Sequence, residues 1–599
     1  MKYATLIAML LLIILYCPFA KGQSNNDVPV TLTNYTFNSN DVKSGNLAGL
    51  VFPQEKNITL SGKDAKWLFI KDHSVFIKSK FAKAALKKKK IDFTILLKEG
   101  NSVIGEKSFT LLADQFHHNK VIAHRGAWKN IHTSQNSLTS LKAAIALGCF
   151  GSETDVHMTA DSALVINHDP VWGGLHVQKS TLTDLRKTKL SNGELLPLLQ
   201  DFLKAIKQQS STKLILELKP SEKGKEWADA TVQKVISTVH RMQAQAWLVY
   251  ISFDYEMCKE ILRLEPSANV QYLNGDKSPE QLKQDKIKGA DYHYSVFQKH
   301  PEWIPSAKKN NIDLNAWTVN EAKDMQWLLA NDFDFITTNE PELLFKEIEK
   351  SPVAKGWKLV WSDEFNYTGL PDNTKWSYDV GGHGWGNNEK QYYTKEDTSN
   401  VFVKNGVLSI VAKKETKENN EYTSARILTK GKAEWKYGRI EINAKLPAGR
   451  GLWPAGWMLN SNIDKAGWPV GGEIDIMEHI GSNKDSVYGT VHTGAYNHVK
   501  GTQRGTEIFI ENPYTQFHTF AIEWSPEKID FLLDDKKYYS FSNEHLSSQE
   551  WPFDEPFFII LNLAIGGGFG GQKGIDDSVF PAVYQVDYVR VYQQNKNKN

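Results

Sequence analysis

The sequence predicts a multidomain chain: a small β-sandwich, a (β/α)8 barrel and a large β-sandwich of the jelly-roll, concanavalin-like type. Short strands and turns fill about residues 28–114, which indicates the first part. Strands then alternate with helical stretches to about residue 350, a rhythm typical of the barrel. From Trp357 to Tyr592 strands return with many Trp and Gly residues and little helical periodicity, which favours the jelly roll. The expected domains are 23–118, 119–350 and 351–599.

The composition argues against two classes of partner. Across 599 residues, 71 Lys and Arg balance 69 Asp and Glu, which leaves a net charge of +2. We therefore expect neither nucleic acid nor an acidic membrane surface as a partner. Apart from Cys17 the chain has two cysteines, Cys149 and Cys258, and neither lies in a C-x-x-C pair. We expect both to be buried thiols, since two cysteines do not make a disulfide framework.

The N-terminus is typical of a targeting segment. The apolar run Ala4–Tyr16 is too short to span a membrane, and a small-x-small pattern at 20–22 predicts cleavage of a signal peptide, residues 1–22. Cys17 would permit a lipoprotein anchor, but Tyr16 stands where a small residue is expected, so lipidation is disfavoured. No later stretch is apolar enough for a transmembrane helix. We expect a secreted, periplasmic or cell-surface protein.

Five short strands are predicted in the first part, separated by Gly and Asn. They are Val30–Leu32, Trp67–Ile70, Ser74–Ile77, Ile91–Leu96 and Ser108–Leu111. The spacing resembles a cadherin-type repeat and carries no catalytic constellation, so we interpret this part as a spacer or a carbohydrate-adhesion module. The basic run Lys87–Lys90 is interpreted as a solvated loop.

Eight strands are predicted in the barrel, most of them followed by helical stretches. They are Val121–Ala123, Ser152–Val156, Leu214–Leu218, Trp247–Ile251, Asn269–Leu273, Ala290–Tyr294, Asp313–Trp317 and Phe333–Ile336. One helix, Leu138–Leu147, is marked by Ser137 as its N-cap and Gly148 at its end.

Reactive side chains gather at the carboxyl ends of these strands, the face where active sites of this fold lie. They are His124, Arg125, Glu153, Asp155, His168, Glu217, Lys219 and Trp317. Three converging carboxylates suit a hard cation, Ca²⁺ or Mg²⁺, and two histidines can act as base and acid. Together with Arg125 and Lys219, a divalent ion would neutralise a phosphate diester in the transition state.

The same motifs resemble the glycerophosphodiester phosphodiesterase family over the whole barrel. They are His124-Arg125-Gly126, Asn136-Ser137, Glu153-x-Asp155, Val165-x-x-His168-Asp169, Glu217-x-Lys219 and Ile336-Thr337-Thr338-Asn339-Glu340-Pro341. The resemblance implies that the metal ligands are Glu153, Asp155 and Glu217. It also implies that the catalytic histidines are His124 and His168 and that Arg125 and Lys219 face the phosphate. The chain departs at Gln135, where family members commonly have Glu, and we interpret this as tuning of the entrance.

The most informative segment is Glu473-Ile474-Asp475-Ile476-Met477-Glu478. Alternation of acidic and apolar residues predicts a β-strand with one face on a core. Strict alternation would put Glu478 on the opposite face from Glu473, and one extra residue, a β-bulge, would bring it back. Two glutamates in one groove with an aspartate between them are the equipment of a retaining glycosidase.

The last part resembles glycoside hydrolase family 16, in its laminarinase-like (endo-β-1,3-glucanase) branch, nearly from end to end. The motifs are Trp361-Ser362-Asp363-Glu364-Phe365, Asn387-Asn388-Glu389, Tyr437-Gly438-Arg439-Ile440-Glu441, Leu452-Trp453-Pro454-Ala455, Trp468-Pro469, the acidic strand and Val586-Asp587-Tyr588-Val589-Arg590-Val591-Tyr592. The resemblance implies that Glu473 is the nucleophile and Glu478 the acid/base, with Asp475 shaping their protonation. It places His492 near the acids, Asn388 and Arg426 on the glycone side, and a structural calcium ion at Glu364 and Asp587.

Trp453, Trp457 and Trp468 are candidate sugar-stacking platforms, and core packing is the alternative for each. Arg450 and Lys465 are the only basic residues around 450–472, which favours a neutral glucan over a sulfated galactan. We therefore expect an exported bifunctional hydrolase acting on β-1,3-glucan and on a phosphodiester, either a small molecule or a decorated glycan. The alternative is a single glycosidase of another polysaccharide specificity, with the barrel as a binding or scaffold domain.

Overall fold

The computed structural model describes residues 28–53 and 56–594, so the predicted signal peptide and Cys17 lie outside the described residues. The chain forms two compact units. The first unit ends at Glu347 and the second begins at Ile348, except that Leu329–Asn331 belong to the second unit. Among the described helices none is long and apolar enough to cross a membrane. Cys149 and Cys258 are buried and free, as predicted.

The first unit begins with two four-stranded sheets, in agreement with a small sandwich. One sheet has the order Thr31–Leu32, Asn46–Val51, Ser74–Ile77, Leu68–Lys71, and the other Thr36–Phe37, Ser102–Ala113, Lys90–Glu99, Asn57–Ser61. The helices are Ser39–Ser44 and Ala82–Lys88. The prediction of a loop at Lys87–Lys90 is wrong: the helix runs to Lys88, and Lys89, with φ of 66°, turns the chain directly into the next strand.

Eight parallel strands close into a barrel in the rest of the first unit. They are Val121–Ala123, Gly151–Met158, Lys213–Leu218, Leu248–Ser252, Val270–Tyr272, Gly289–His293, Asp313–Trp317 and Phe335–Thr338. Val121–Ala123 pairs with the last strand on one side and with Gly151–Met158 on the other, which closes the sheet. The barrel fold predicted from the sequence is confirmed, with differences at strand ends. Tyr294 starts a helix and does not end the sixth strand, Trp247 precedes the fourth strand, and the last strand begins at Phe335 and not at Phe333.

The barrel helices and extra strands surround this sheet. The helices are Leu138–Leu147, Leu182–Leu185, Leu199–Ile206, Lys225–Met242, Tyr255–Leu264, Pro279–Gln284, Tyr294–Lys299, Trp303–Asn310, Ala322–Ala330 and Pro341–Lys350. The additional strands are Leu164–Ile166, which pairs antiparallel with Gly151–Met158, and the hairpin Val171–Trp172 and Leu175–His176. Ser137 caps Leu138–Leu147 by accepting a hydrogen bond from Ser140 N, and Gly148 ends it at φ 77°, as predicted.

The second unit is a jelly roll of two large sheets. The ten-stranded sheet has the order Gln391–Tyr393, Asn420–Ser424, Val407–Lys417, Ala582–Gln594, Gly438–Lys445, His518–Trp524, Lys528–Leu533, Lys536–Ser542, with Trp357–Asp363 beside Ala582–Gln594 and Val401–Lys404 beside Val407–Lys417. The seven-stranded sheet has the order Ser377–Tyr378, Arg426–Leu428, Phe557–Ile565, Leu452–Asn460, Glu473–Glu478, Ser486–His492, Arg504–Phe509. Short helices lie at Ile463–Ala466 and Gly567–Gly570. Apolar side chains from both sheets, Ile442, Ile474 and Leu561 among them, share one buried core, which fixes the acidic strand from below.

Candidate active sites

The acidic strand carries the predicted bulge. Its register shifts between Asp475 and Glu478 against Ser486–His492, and between Gly456 and Trp457 on the other neighbouring strand. Ile474, Ile476 and Met477 are buried, while Glu473, Asp475 and Glu478 all line one cavity of about 460 Å³. The extra residue therefore returns Glu478 to the face of Glu473, which strict alternation would forbid.

Each glutamate accepts a hydrogen bond from a different tryptophan. The indole N–H of Trp468 donates to Glu473 Oε2 and that of Trp453 to Glu478 Oε1, both at 3.0 Å. These two tryptophans, proposed from sequence as stacking platforms, therefore also hold the carboxylates by their polar edges.

Burial and mutual repulsion shift the protonation of all three acids. Burial raises the pKa of Glu473 to about 7, and burial together with the charge of Glu473 raises the pKa of Glu478 to about 7. Burial, followed by the charges of Glu473 and Glu478, raises the pKa of Asp475 well above its usual range. Neutral Asp475 donates a hydrogen bond to Glu473, and Arg426 also favours the ionised form of Glu473. Glu473 thus loses its proton more readily than Glu478 does.

His492 lies beside the acids, as expected. Its Nε2 is 3.4 Å from Asp475 Oδ2 and 4.0 Å from Glu473 Oε1. Burial lowers the pKa of His492 to about 4, so the ring is neutral and adds no charge to the cluster.

Other groove residues were only partly foreseen. The Arg426 guanidinium lies between the rings of Trp385 and Trp457, 5.0 and 4.8 Å from their centroids, and pairs with Asp379 at 2.9 Å. Asn388 is exposed and is not among the residues lining the cavity. The groove residues that sequence reasoning missed are His383, Trp385, Asn387, Glu389, His498 and Asn562. Of these, Asn387 and Glu389 flank the expected position. No sequence signal pointed to His498, whose ring centroid lies 4.9 Å from that of Trp468 at an interplanar angle of 37°.

Glu364, one of the two residues predicted to hold a structural calcium ion, pairs with Arg590. Glu364 accepts two hydrogen bonds from Arg590, at 2.9 and 2.8 Å, and Asp587 is buried in the same closing strand. Because an arginine fills the position beside Glu364, we assign no step to an ion there, and the calcium site stays a prediction.

The barrel brings its three predicted carboxylates together. One oxygen each of Glu153, Asp155 and Glu217 lies within 4.8 Å of the others, and all three residues are buried. Lys219 Nζ is 2.8 Å from Asp155 Oδ1 and 2.7 Å from Glu217 Oε1. Burial raises the pKa of Glu217 to about 7, whereas Lys219 overcomes the effect of burial at Asp155 and lowers its pKa to about 2.

This donor set fits a divalent cation. Glu153 Oε1 is buried without a hydrogen-bond donor, and Asp155 Oδ1 and Glu217 Oε1 face the Lys219 ammonium. Clustered carboxylate oxygens are the ligands that Ca²⁺ and Mg²⁺ prefer. The geometry does not distinguish the two ions.

The two histidines are held in defined tautomers. His124 Nδ1 is 2.9 Å from Asn339 Oδ1, an acceptor, so the proton lies on Nδ1 and Nε2 keeps its lone pair. His168 Nδ1 is 2.7 Å from Asp169 Oδ1. Burial lowers the pKa of His124 to about 4 and that of His168 in the same direction.

The Arg125 side chain is held by one uncharged neighbour and one more distant carboxylate. Its Nη1 donates to Gln135 Oε1 at 2.8 Å, and its Nε is 3.6 Å from Asp155 Oδ2. Asn136 Nδ2 donates to the same Asp155 oxygen at 2.7 Å. The amide of Gln135 therefore positions Arg125 without neutralising it.

One buried acid of the barrel was missed. Asp291, in the sixth strand, lines a small cavity with His124, Lys219 and Trp317, and its Oδ1 has no hydrogen-bond partner. Burial, followed by the charge of Glu217, raises its pKa well above the usual range. The sequence did contain a signal for this residue, because an acidic residue stands within a strand that was predicted to be buried. Trp317 lines the cavity as expected and donates its N–H to Asp291 O at 2.8 Å.

Comparison with known proteins identifies the family of the jelly-roll domain. Residues 388–590 match the glycosyl hydrolases family 16. A beta-glucanase of Rhodothermus marinus is 57% identical over 252 residues, 41% of this chain and 88% of that protein. The chain belongs to glycoside hydrolase family 16. The family 16 domain is also 40% identical over 258 residues to a glucan endo-1,3-beta-glucosidase of Cryptopygus antarcticus, 40% of this chain and 93% of that protein.

A laminarinase structure from Rhodothermus marinus is 56% identical and covers 40% of this chain and 98% of its own, with a TM-score of 0.40. The barrel matches a second family, the glycerophosphoryl diester phosphodiesterase family, over residues 124–343. Residues 292–473 also match the beta-glucan synthesis-associated protein SKN1/KRE6/Sbg1. The chain thus joins a glycoside hydrolase domain to a phosphodiesterase-family barrel.

Proposed function

We propose that the family 16 domain is a retaining endo-β-1,3-glucanase. The main observation behind this proposal is the bulged strand, which puts Glu473 and Glu478 in one groove. The surroundings of Glu473 stabilise its ionised form more than those of Glu478 do. The relatives at 57% and 40% identity are a beta-glucanase and a glucan endo-1,3-beta-glucosidase, which supports the substrate.

The proposed mechanism follows from the unequal protonation of the pair. Glu473, favoured as a carboxylate by Trp468, Asp475 and Arg426, attacks the anomeric carbon. Glu478, whose proton is retained by burial and by the charge of Glu473, protonates the leaving oxygen. Glu478 then takes a proton from the water that hydrolyses the glycosyl–Glu473 intermediate, so two inversions retain the configuration. Trp453 and Trp457 contribute groove surface against which the sugar rings stack.

For the barrel we propose metal-dependent hydrolysis of a glycerophosphodiester-type substrate. Glu153, Asp155 and Glu217 would hold Ca²⁺ or Mg²⁺, which when bound neutralises phosphate charge. His124 Nε2, with its free lone pair, accepts a proton from water, and His168, after taking a proton from solvent on Nε2, donates that proton to the leaving alcohol. Arg125 and Lys219 stand at the entrance and floor of the site, where they stabilise the phosphoryl oxygens.

The fusion motivates a shared substrate: a β-glucan decorated with phosphoglycerol or a similar group. We also propose export of the chain to the periplasm, cell surface or medium, on the pattern of residues 1–22. Cell fractionation tests the location, and retention of an uncleaved chain in the cytoplasm would contradict it.

The experiment for the barrel is hydrolysis of glycerophosphodiesters with added Ca²⁺ or Mg²⁺. Release of phosphomonoester that stops on chelation supports the proposal. A folded barrel that binds diesters without cleaving them would instead favour the alternative, a binding or scaffold role.

A further inference from the structure

A second, larger cavity adjoins the phosphodiester centre of the barrel. Its volume is about 410 Å³, against about 110 Å³ for the cavity lined by His124, Glu217 and Lys219. Arg125 and His168 line both cavities, so the two share one wall. A ligand whose phosphate contacts Arg125 and His168 can therefore extend into the larger cavity.

The size of this cavity favours a bulky alcohol. It falls in the range of about 300–1,000 Å³ that is usual for small-molecule sites. A glycerol or other short alcohol would leave most of it to water, whereas the smaller cavity has room only for a compact group.

The lining chemistry is that of a site for a neutral, hydroxyl-rich ring. Two indoles, Trp128 and Trp172, line the cavity, and the other walls include small polar side chains, namely Thr133, Ser134, Asn167 and Ser191. Aromatic faces pack on the apolar faces of a sugar ring, while amides and hydroxyls bond its hydroxyl groups. The carboxylate in the cavity, Asp169, accepts a hydrogen bond from His168 Nδ1 through one of its oxygens. Ile166, Leu190 and Leu196 complete the apolar part of the lining.

The cavity is built rather than incidental. Trp172 donates its N–H to Leu185 O at 3.1 Å and packs on the buried cluster that includes Val165 and Leu196. Ser134 Oγ lies 2.6 Å from Ser191 Oγ, which ties the two wall segments together. The indole N–H of Trp128 is buried without a hydrogen-bond partner among the described residues.

We propose that this cavity is a sugar subsite, so that the barrel's substrate is a phosphodiester with a pyranose as one of its two alcohols. The inference rests on the proposed phosphodiesterase function. A water oxygen bonds to phosphorus, one ester P–O bond breaks, and a proton from that water ends on the departing alcohol. The products are a phosphomonoester and a free alcohol. A glucose unit carrying phosphoglycerol is such a diester.

The test compares two diesters of glycerol phosphate, one with glucose through its 6-hydroxyl and one with methanol. We expect the wild-type kcat/KM for the glucose diester to exceed that for the methyl diester by about tenfold or more. Trp128→Leu and Trp172→Leu should each lower this ratio about fivefold to tenfold, since each removes one aromatic face. Trp227→Leu, a matched substitution on the outer helix Lys225–Met242, should leave the ratio unchanged.

Binding without turnover gives an independent result. Calorimetric titration of His168→Ala with each diester should give a Kd about tenfold lower for the glucose diester. A wild-type ratio near one, or a ratio that neither tryptophan variant changes, overturns the sugar subsite while leaving the phosphodiesterase proposal intact. Cleavage of neither diester refutes the phosphodiesterase, and equal binding of the two by His168→Ala then also refutes the subsite.

Discussion

Replacing Trp453 by Phe should shift the alkaline limb of the glucanase pH profile upward. Phe keeps an aromatic face but removes the N–H that donates to Glu478 Oε1 at 3.0 Å. That bond favours ionised Glu478, so its loss makes the acid harder to deprotonate. A hydrogen bond to a charged group contributes about 1.5–3 kcal/mol, and one pKa unit corresponds to about 1.4 kcal/mol. Groove water replaces part of the lost bond, so we expect a shift of about one unit.

The assay is kcat/KM on laminarin as a function of pH. In the wild type, activity should fall as pH rises through about 7, where Glu478 loses its proton. Trp468→Phe is the matched control, because it removes the donor to Glu473 and should move the acidic limb upward instead. Its shift should be smaller, since Trp468 is 39% exposed. An unmoved alkaline limb in Trp453→Phe, or the same limb moving in both variants, would refute the assignment of roles.

Three further predictions concern other parts of the chain. Asp475→Asn keeps a neutral hydrogen-bond donor beside Glu473, so its kcat/KM on laminarin should stay within about tenfold of the wild-type value. Asp475→Ala removes the donor, and its kcat/KM should fall by about tenfold more. Equal losses in the two variants would argue against a protonated Asp475. Chelation with EDTA should abolish diester hydrolysis and spare laminarin hydrolysis, and a metal-independent diesterase would contradict the carboxylate site. Arg439→Met should lower the free energy of unfolding of the jelly roll by about 3 kcal/mol, measured by denaturant unfolding. The variant leaves the buried carboxylate of Glu441 without its cation, whereas Glu523 and Asp535 are partly exposed and can be solvated by water. A change under about 1 kcal/mol would show that the ion cluster contributes little to stability.

Local geometry made the acidic strand predictable from sequence. The side-chain period of a strand is two, so the spacing from Glu473 to Glu478 requires an irregularity, and the bulge is there. The barrel carboxylates were predictable for a similar reason, since the ends of parallel strands meet at one edge of the sheet.

Contacts between distant segments could not be predicted in this way. Asn339 orients His124 across 215 residues, and although both lie in motifs singled out from the sequence, neither motif shows that the two side chains pair. Gln135 is close to Arg125 in sequence, but its hydrogen bond depends on the path of the intervening loop. The basic run at Lys87–Lys90 was misassigned because charge pattern indicates exposure and carries no information on where a helix ends.

Product analysis with two point variants tests the central claim most directly, that one chain carries two independent hydrolytic sites. Wild type, Glu473→Gln and His168→Ala are each incubated with laminarin and with a glycerophosphodiester in the presence of Mg²⁺ or Ca²⁺. We predict that wild type cleaves both, Glu473→Gln cleaves only the diester, and His168→Ala cleaves only laminarin. Loss of both activities in either variant, or a wild-type chain that leaves one substrate intact, would contradict the account.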